Sequence, residues 1–263
     1  MADNNPDGGM SPDVLIMEEK LAKIRTQVNL KLENQKNLAL ILSAVEENID
    51  EQKNEKTPVA YFVSFLALLD QAVVADEVAD AGVAAAAAYF LDLVSPFAPK
   101  PLLKQKFAPI LTKLAPVLTS ASAEASLVRA SIGALETILL AQDNQQWLST
   151  GNVSPKRALV GMLELSFDPR PKVRKRAQEA VQKILSNPPP SPLPVHSSAG
   201  LCADLALQRL SSLIENAPKG KKNSTNKELN SATIHTLQLV TAITSANAWP
   251  ADKIDSLCDI LLD

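Results

Sequence analysis

The segment Leu159–Leu185 reads LVGMLELSFDPRPKVRKRAQEAVQKIL and contains two short helical patterns separated by a turn. Apolar residues recur at helical spacing in both halves, so each half has one apolar face. They are Leu159, Val160, Leu163 and Leu165 in the first half, and Val173, Ala177, Ala180, Val181 and Ile184 in the second. The segment therefore predicts two packed helices.

The turn between these helices has its own chemistry. Pro171 suits the first turn of a helix, and it favours an extended conformation for Arg170 before it. Asp168 can accept hydrogen bonds from the free N–H groups that open the second helix. We expect Val173 and Ala177 to be buried between helix layers. We expect Arg174 to lie at the edge of the apolar face, where it reaches acidic or carbonyl groups of an adjacent repeat. Its partner is either Asp168 or the equivalent residue one repeat away.

A Leu-rich helix, an Asp-Pro turn and Val-Arg-x-x-Ala-x-x-Ala together closely resemble one HEAT repeat. One such helix pair cannot bury its apolar face alone, so it implies stacked neighbours. Val128-Arg129 precedes Val173-Arg174 by 45 residues, within the usual HEAT and armadillo period. At the same offset, Leu114, Ala115 and Leu118 correspond to Leu159, Val160 and Leu163. This repetition predicts an all-α fold, a HEAT/armadillo-like α-solenoid of stacked helical hairpins.

The solenoid is expected to span residues 13–263 as the N-terminal part of a longer array, after a disordered segment 1–12. Residues 187–194 form a proline-rich connector, and residues 217–228 form a polar loop. Helical spacing between Pro12 and about Gln52 fits one long helix, or a helical hairpin with a break near Asn29–Asn34. Further helices are predicted at Val59–Val74, Gly82–Val94, Leu102–Leu118, Leu127–Ala141, Ser197–Asn216, Leu229–Ala246 and from Pro250. The final helix is apolar, so we expect further repeats or a partner to cover it.

Motifs of catalysis, metal binding and cofactor binding do not emerge from the sequence. His196 and His235 stand apart from any cluster at ligand spacing, and Cys202 and Cys258 resemble small buried residues. The longest apolar run, Val83–Leu91, is too short to span a bilayer. We therefore expect a binding scaffold that is not an enzyme, with no metal, no cofactor and no membrane partner. An enzyme subunit with a pocket between repeats has only generic helical clefts in its favour.

Charge is distributed unevenly along a chain of net charge −3. Residues 61–99 contain no Lys or Arg, whereas residues 100–190 contain 13 basic and 6 acidic side chains. On a helical wheel Lys172, Arg176 and Lys183 fall within roughly 40° of one another. Lys175 points outward, where Glu179 at i,i+4 can offset its charge. The strip Lys172, Arg176 and Lys183, with Lys219, Lys221 and Lys222 of the polar loop, is our candidate RNA contact. The alternative is an ordinary solvated helix face.

Longer segments resemble a specific family, the ribosomal RNA-processing protein 12 family, in its N-terminal region. They are KLAKIRTQVNLKLENQKNLALILSAVEENI (Lys20–Ile49), SFLALLDQ (Ser64–Gln71), YFLDLVSPFAPKPLLKQKF (Tyr89–Phe107), ILTKLAPVLT (Ile110–Thr119) and LVRASIGALETILLAQD (Leu127–Asp143). The resemblance covers most of the chain from about Lys20 onward. It implies a nucleolar and nuclear ribosome biogenesis factor with HEAT/armadillo-like repeats.

That family associates with precursor ribosomal particles, so the resemblance implies pre-ribosomal RNA, assembly factors and ribosomal proteins as partners. It also implies a role in rRNA processing and in maturation and nuclear export of ribosomal subunits, compatible with shuttling to the cytoplasm. An interaction with the Ran GTPase would belong to the longer protein. The alternative is a transport-receptor-like protein-binding adaptor without direct RNA contact. Salt-dependent RNA binding separates the two functions, since phosphate contacts release counterions.

Overall fold

A computed structural model of the protein describes residues 12–29, 33–75, 77–191, 194–216 and 227–262. Within these ranges the chain forms thirteen α-helices and one short antiparallel ribbon, in which Val73 pairs with Val78 and Val74 with Glu77. None of these helices is long and apolar enough to cross a membrane. The predicted all-α solenoid fold is confirmed.

Ten of the helices form five sequential hairpins. These are α1 (Pro12–Arg25) with α2 (Glu33–Glu51), α3 (Pro58–Ala72) with α4 (Ala81–Val94), α6 (Phe107–Thr119) with α7 (Ala125–Leu140), α9 (Pro155–Leu165) with α10 (Pro171–Ser186), and α11 (Ala199–Glu215) with α12 (Lys227–Ser245). The remaining elements are α5 (Lys100–Gln105), α8 (Asn144–Leu148), α13 (Ile254–Leu262), strands β1 (Val73–Val74) and β2 (Glu77–Val78), and 3-10 turns at Thr26–Asn29, Ser95–Phe97 and Ala251–Lys253.

The hairpins stack so that their second helices lie side by side in the order α2, α4, α7, α10, α12. We call this row the second-helix layer. The first helices α3, α6 and α9 are also neighbours, but they contact one another much less than the second helices do. Most of the packing between hairpins therefore runs through the second-helix layer.

Local sequence explains where several helices begin. Thr57, Asp80 and Ser154 each accept a backbone hydrogen bond at the start of α3, α4 and α9. Proline occupies the first turn of α3, α9 and α10, where its missing N–H costs nothing. Before α10, Arg170 has the extended backbone (φ −77°, ψ 112°) that a following proline favours.

Two pairs of positions related by the 45-residue offset share the same environment. Val128 and Val173 are fully buried in α7 and α10, and Leu114 and Leu159 are fully buried in α6 and α9. Ala177, one turn after Val173, is also fully buried. The repeat register deduced from the sequence therefore corresponds to one step between stacked hairpins.

Several elements differ from the sequence-based expectation. The first region is a hairpin of α1 and α2, as one of the two alternatives had it. The helix expected at Leu102–Leu118 is divided between α5 and α6 at Lys106. Helix α8 was not predicted, and its Trp147 is buried against His196 with ring centroids 4.5 Å apart. Cys202 is buried as expected, but Cys258 is exposed, since it belongs to α13, which has no buried residue among those described.

The predicted segments fall partly outside the described residues. Of the expected disordered segment 1–12, Pro12 begins α1 and the rest lies outside them. Of the polar loop 217–228, residues 217–226 lie outside them, whereas Lys227 and Glu228 already belong to α12, so the predicted loop end was wrong by two residues. The connector 187–194 is non-helical wherever it is described.

Candidate nucleic-acid interface

The predicted basic strip lies on the side of α10 that meets α7. Lys172 is exposed in the first turn of α10. Arg176 is half-buried, with 23% of its side chain exposed, and Lys183 in the last turn is 58% exposed. A cation at this end is also favoured by the negative end of the helix dipole. The three members of the strip therefore differ in their access to a ligand.

Two members of the strip converge on a single buried carboxylate. Arg176 Nη1 lies 2.5 Å from Glu136 Oε2, and Lys183 Nζ lies 2.6 Å from Glu136 Oε1. Only 3% of the Glu136 side chain is exposed, and a carboxylate so buried requires paired cations. Glu136 belongs to α7, so these contacts join α7 to α10.

Asp92 of α4 extends this cluster to a third helix. Its Oδ1 lies 3.9 Å from Arg176 Nη2. Burial raises the pKa of the Asp92 carboxyl, and the positive charge of Arg176 opposes that effect. The Asp92 carboxylate lies directly against the α7 backbone at Gly133, because a Cβ there would lie 2.0 Å from Asp92 Oδ1. We call Asp92, Glu136, Arg176 and Lys183 the ion cluster.

Lys183 also borders a groove at the C-terminal ends of α7 and α10. The groove has a volume of about 470 Å³, and Lys100, Lys104 and Lys183 line it beside Pro188, Pro189 and Pro190. Asp143 lines it as well and accepts a hydrogen bond from Lys104 Nζ at 3.1 Å. We call it the cationic groove, since its lining has three cations and one carboxylate.

The Asp-Pro turn is held by a compact set of contacts. Asp168 Oδ1 accepts the backbone N–H of Arg170 at 2.8 Å, and Asp168 Oδ2 lies 2.7 Å from Arg170 Nη2. The Arg170 guanidinium holds the pKa of the Asp168 carboxyl below its usual range. Arg174 Nη1 donates to the Asp168 carbonyl oxygen at 2.8 Å, within the same turn.

Contact with the preceding hairpin is made by Arg170, whose Nη1 donates to the Ala123 carbonyl oxygen. Arg174 thus bonds to Asp168, a partner expected for it, within its own repeat. It also lies beside the following hairpin, where it lines a pocket together with Gln238 and Thr241 of α12. The bond to the Asp168 carbonyl forms because Arg174 lies in the first turn of α10, directly after the Asp-Pro turn. Lys175 lies 3.8 Å from Glu179, as the i,i+4 spacing predicted.

Lys219, Lys221 and Lys222 lie outside the described residues. The sequence-based reasoning did not single out Lys100, Lys104 or Glu136. For the lysines a signal was present, because KPLLKQK places three lysines in Lys100–Lys106 directly after residues 61–99, which contain none. For Glu136 there was no local signal, because its partners come from a different hairpin.

Comparison with known proteins gives consistent matches. The family model "RRP12-like, N-terminal HEAT repeats" matches residues 30–246. Ribosomal RNA-processing protein 12 of Saccharomyces cerevisiae is 46% identical over 261 residues, covering 95% of this chain and 21% of that protein. A relative from Schizosaccharomyces pombe is 31% identical over 242 residues, covering 92% of this chain and 20% of that protein.

The RRP12-like protein of Homo sapiens is 28% identical over 152 residues, covering 57% of this chain and 11% of that protein. The chain thus spans about a fifth or less of the length of these curated relatives. No solved structure matches the chain.

Proposed function

The chain belongs to the family of RRP12-like N-terminal HEAT repeats, and from that premise we propose that it is a non-enzymatic platform that binds pre-ribosomal RNA during ribosome biogenesis. The name of a relative, ribosomal RNA-processing protein 12 of Saccharomyces cerevisiae, supports a role in ribosome biogenesis. Direct RNA contact is the finer part of the proposal. The observation that carries it is the cationic groove.

The charges of this groove support contact with a phosphate backbone. Lys100 forms no ion pair within the described part of the chain, and Lys104 has only the exposed Asp143 as a partner. Lys183 is 58% exposed even while it contacts Glu136. Lys100 can bind a phosphate directly, and Lys104 can exchange its solvated carboxylate partner for one, which releases counterions from the RNA. The described lining contains no aromatic side chain for base stacking, which favours binding independent of sequence.

We assign different roles to the three residues of the basic strip, Lys172, Arg176 and Lys183. We retain Lys172 and Lys183 as RNA contacts, together with Lys219, Lys221 and Lys222. We assign Arg176 to holding the Glu136 carboxylate, because its guanidinium is half-buried and already bound at 2.5 Å. Moving it to a phosphate would leave a buried charge unpaired.

The test is the salt dependence of affinity for oligo(U) of about 20 nucleotides, with the groove variant Lys100→Ala/Lys104→Ala/Lys183→Ala. If each lysine contacts one phosphate, the log–log slope should flatten by about 2, taking roughly 0.7 per phosphate. The variant Lys100→Ala/Lys104→Ala leaves the ion cluster intact and should flatten the slope by roughly 1.4. Circular dichroism confirms that each variant is folded.

A matched control is Lys23→Ala/Lys36→Ala/Lys56→Ala, which removes the same net charge around α1 and α2. Its slope should equal that of the wild type. If the groove and control variants have the same slope, the cationic groove is not the RNA contact.

A second function, a transport-receptor-like protein-binding adaptor without RNA contact, is favoured by one specific observation. Glu136 neutralises part of the charge of Arg176 and Lys183, so the basic strip is less cationic than the sequence suggests. For this adaptor, oligo(U) affinity would be weak and unaffected by the groove variants. The RNA experiment thus distinguishes the two functions.

Partners and location follow from a role in ribosome biogenesis. We propose assembly factors and ribosomal proteins of precursor particles as partners, a nucleolar and nuclear location, and a contribution to nuclear export of subunits. An interaction with the Ran GTPase is proposed only for a longer protein that includes this chain. Purification of the longer protein, followed by identification of its bound RNA and proteins, tests these proposals together.

A further inference from the structure

A second, larger groove lies on the first-helix side of the solenoid, between α6 and α9. It has a volume of about 1030 Å³. The groove exists because α7 and α10 pack extensively, whereas α6 and α9 make few contacts with each other. Residues 149–154 border it, and Leu135 and Leu201 contribute from α7 and α11. It is therefore separate from the cationic groove.

The lining of this groove is apolar along most of its length. Leu111, Ala115 and Leu118 line it from α6, and Val160 and Gly161 line it from α9. A Cβ added to Gly161 would meet no atom within 4 Å, so the space above the α9 backbone is open. The side chain of Val153 at the border is exposed. The surface can thus accommodate apolar side chains of a partner.

The charged side chains that line the α6–α9 groove are all positive among the described residues. Lys156 and Arg157 of the first turn of α9 line the groove, and no acidic side chain does so among the described residues. Neither cation forms an ion pair within the described ranges. These two positive charges lie at the N-terminal end of α9, where the helix dipole adds a partial positive charge. Carboxylates of a partner would find a complementary field there.

The backbone of α6 adds a hydrogen-bond acceptor. Pro116 lies inside α6 and lacks an N–H, so the Thr112 carbonyl has no α-helical donor at i+4. Thr112 and Pro116 both line the groove. A backbone or side-chain donor of a bound segment could satisfy this oxygen.

We propose that the α6–α9 groove binds a protein segment in which acidic residues flank apolar anchors. The apolar lining takes the anchors, and Lys156 and Arg157 pair with the carboxylates. Single-stranded RNA fits less well, because only two cations and no aromatic side chain are among the described lining residues. This proposal does not depend on RNA binding by the cationic groove.

The probe is a labelled synthetic peptide of about 15 residues containing Leu, Asp and Glu, and fluorescence anisotropy with the full 263-residue chain measures its affinity. Two matched peptides replace either the acids by Lys or the Leu residues by Ser. We expect the acidic Leu-containing peptide to bind and each matched peptide to bind at least about tenfold more weakly, since both interactions contribute. Equal binding of the Lys-containing peptide, or no binding of the acidic one, overturns the proposal.

Charge reversal localises the site. Lys156→Glu/Arg157→Glu should weaken binding of the acidic peptide by about tenfold or more, since it replaces attraction by repulsion. The control Lys36→Glu/Arg129→Glu makes the same change in net charge at two exposed cations elsewhere, and its affinity should match that of the wild type. Equal weakening by both variants would mean that peptide binding reports net charge and not this groove.

Filling the groove provides a second, uncharged test. Gly161→Leu places a side chain in the open space, whereas Gly161→Ala makes a similar backbone change and leaves most of the space free. Gly161→Leu should abolish peptide binding while Gly161→Ala retains it, with both variants folded by circular dichroism. Undiminished binding to Gly161→Leu overturns the proposal. Displacement of the peptide by oligo(U), or self-association of the chain that Gly161→Leu removes, would assign the groove to RNA or to a second copy instead.

Discussion

Glu136 is the residue through which α7 is tied electrostatically to α10. Its carboxylate is nearly inaccessible and bonds to both Arg176 and Lys183. A buried ion pair of this kind is weak evidence for stability overall, but removal of one partner leaves an unpaired charge. Removal of Arg176 should therefore lower the stability much more than removal of Lys183, because Arg176 is half-buried and Lys183 is mostly exposed.

We predict that Glu136→Gln and Arg176→Met each lower the free energy of unfolding by about 3 kcal/mol, and that the double variant loses clearly less than the sum. Lys183→Met serves as the control and should cost less than about 1 kcal/mol, as exposed pairs do. Urea denaturation measures all four. Additive losses in the double variant would mean that Glu136 and Arg176 do not stabilise each other.

His196 is the residue for which the structure predicts a pH effect. It is buried against Trp147, its Nδ1 accepts the Ser198 N–H at 3.1 Å, and burial lowers its pKa to about 4. In the unfolded chain a histidine titrates near its ordinary pKa of about 6.5. Between these values the unfolded state binds a proton and the folded state does not, so stability is present above about pH 6.5 and is lost as pH falls towards 4.

The full shift of the His196 pKa corresponds to roughly 3 kcal/mol of folding free energy. We predict that the free energy of unfolding falls more steeply from pH 7 to pH 4 in the wild type than in His196→Gln, which does not titrate. Denaturation at several pH values measures this difference, and carboxyl groups contribute alike to both proteins. Parallel curves for the two proteins would show that His196 is accessible to protonation in the fold.

At the scale of elements, two helical glycines have opposite surroundings. Gly133 is buried in α7 against Asp92 of α4, whereas Gly161 of α9 faces the open α6–α9 groove. A helix gains up to about 1 kcal/mol when an exposed Gly is replaced by a better helix former. An extra side chain at a close helix contact instead forces the helices apart.

We predict that Gly133→Leu lowers the melting temperature, with a loss of about 1–3 kcal/mol or more, while Gly161→Leu leaves it equal or higher. Thermal melts followed by circular dichroism make the comparison, and each variant is the control for the other. Similar melting temperatures for the two variants would contradict the close contact between Asp92 and the α7 backbone at Gly133.

At the scale of the whole molecule, stability in a solenoid is a sum of repeat and neighbour contributions. Helix α7 has buried residues along most of its length and packs against α4, α6 and α10. Helix α13 has no buried residue among those described. The chain should therefore open from α13 before α7 is exposed.

We predict slow amide exchange in α7 and α10, and exchange in α13 that is faster by at least about tenfold. Hydrogen–deuterium exchange with mass spectrometry on the full chain measures this directly. Peptides from α4, which also lies within the second-helix layer, are the internal reference for slow exchange. Equal protection of α13 and α7 would indicate that the chain unfolds as one cooperative unit.

The sequence by itself determined the helical class and the repeat register. Val128 and Val173 revealed the 45-residue step, and Pro171 with Asp168 marked the start of α10, because helical periodicity and proline geometry are local properties. The same local reasoning missed α8, a five-residue helix too short to show a period.

Tertiary structure alone decided which charges remain free. Arg176 and Glu136 are 40 residues apart, and they meet only because α7 and α10 pack side by side. The α6–α9 groove likewise depends on how far neighbouring first helices are held apart. Both depend on the relative placement of separate helices, and that placement is set by the sum of many packing contacts and not by any one segment.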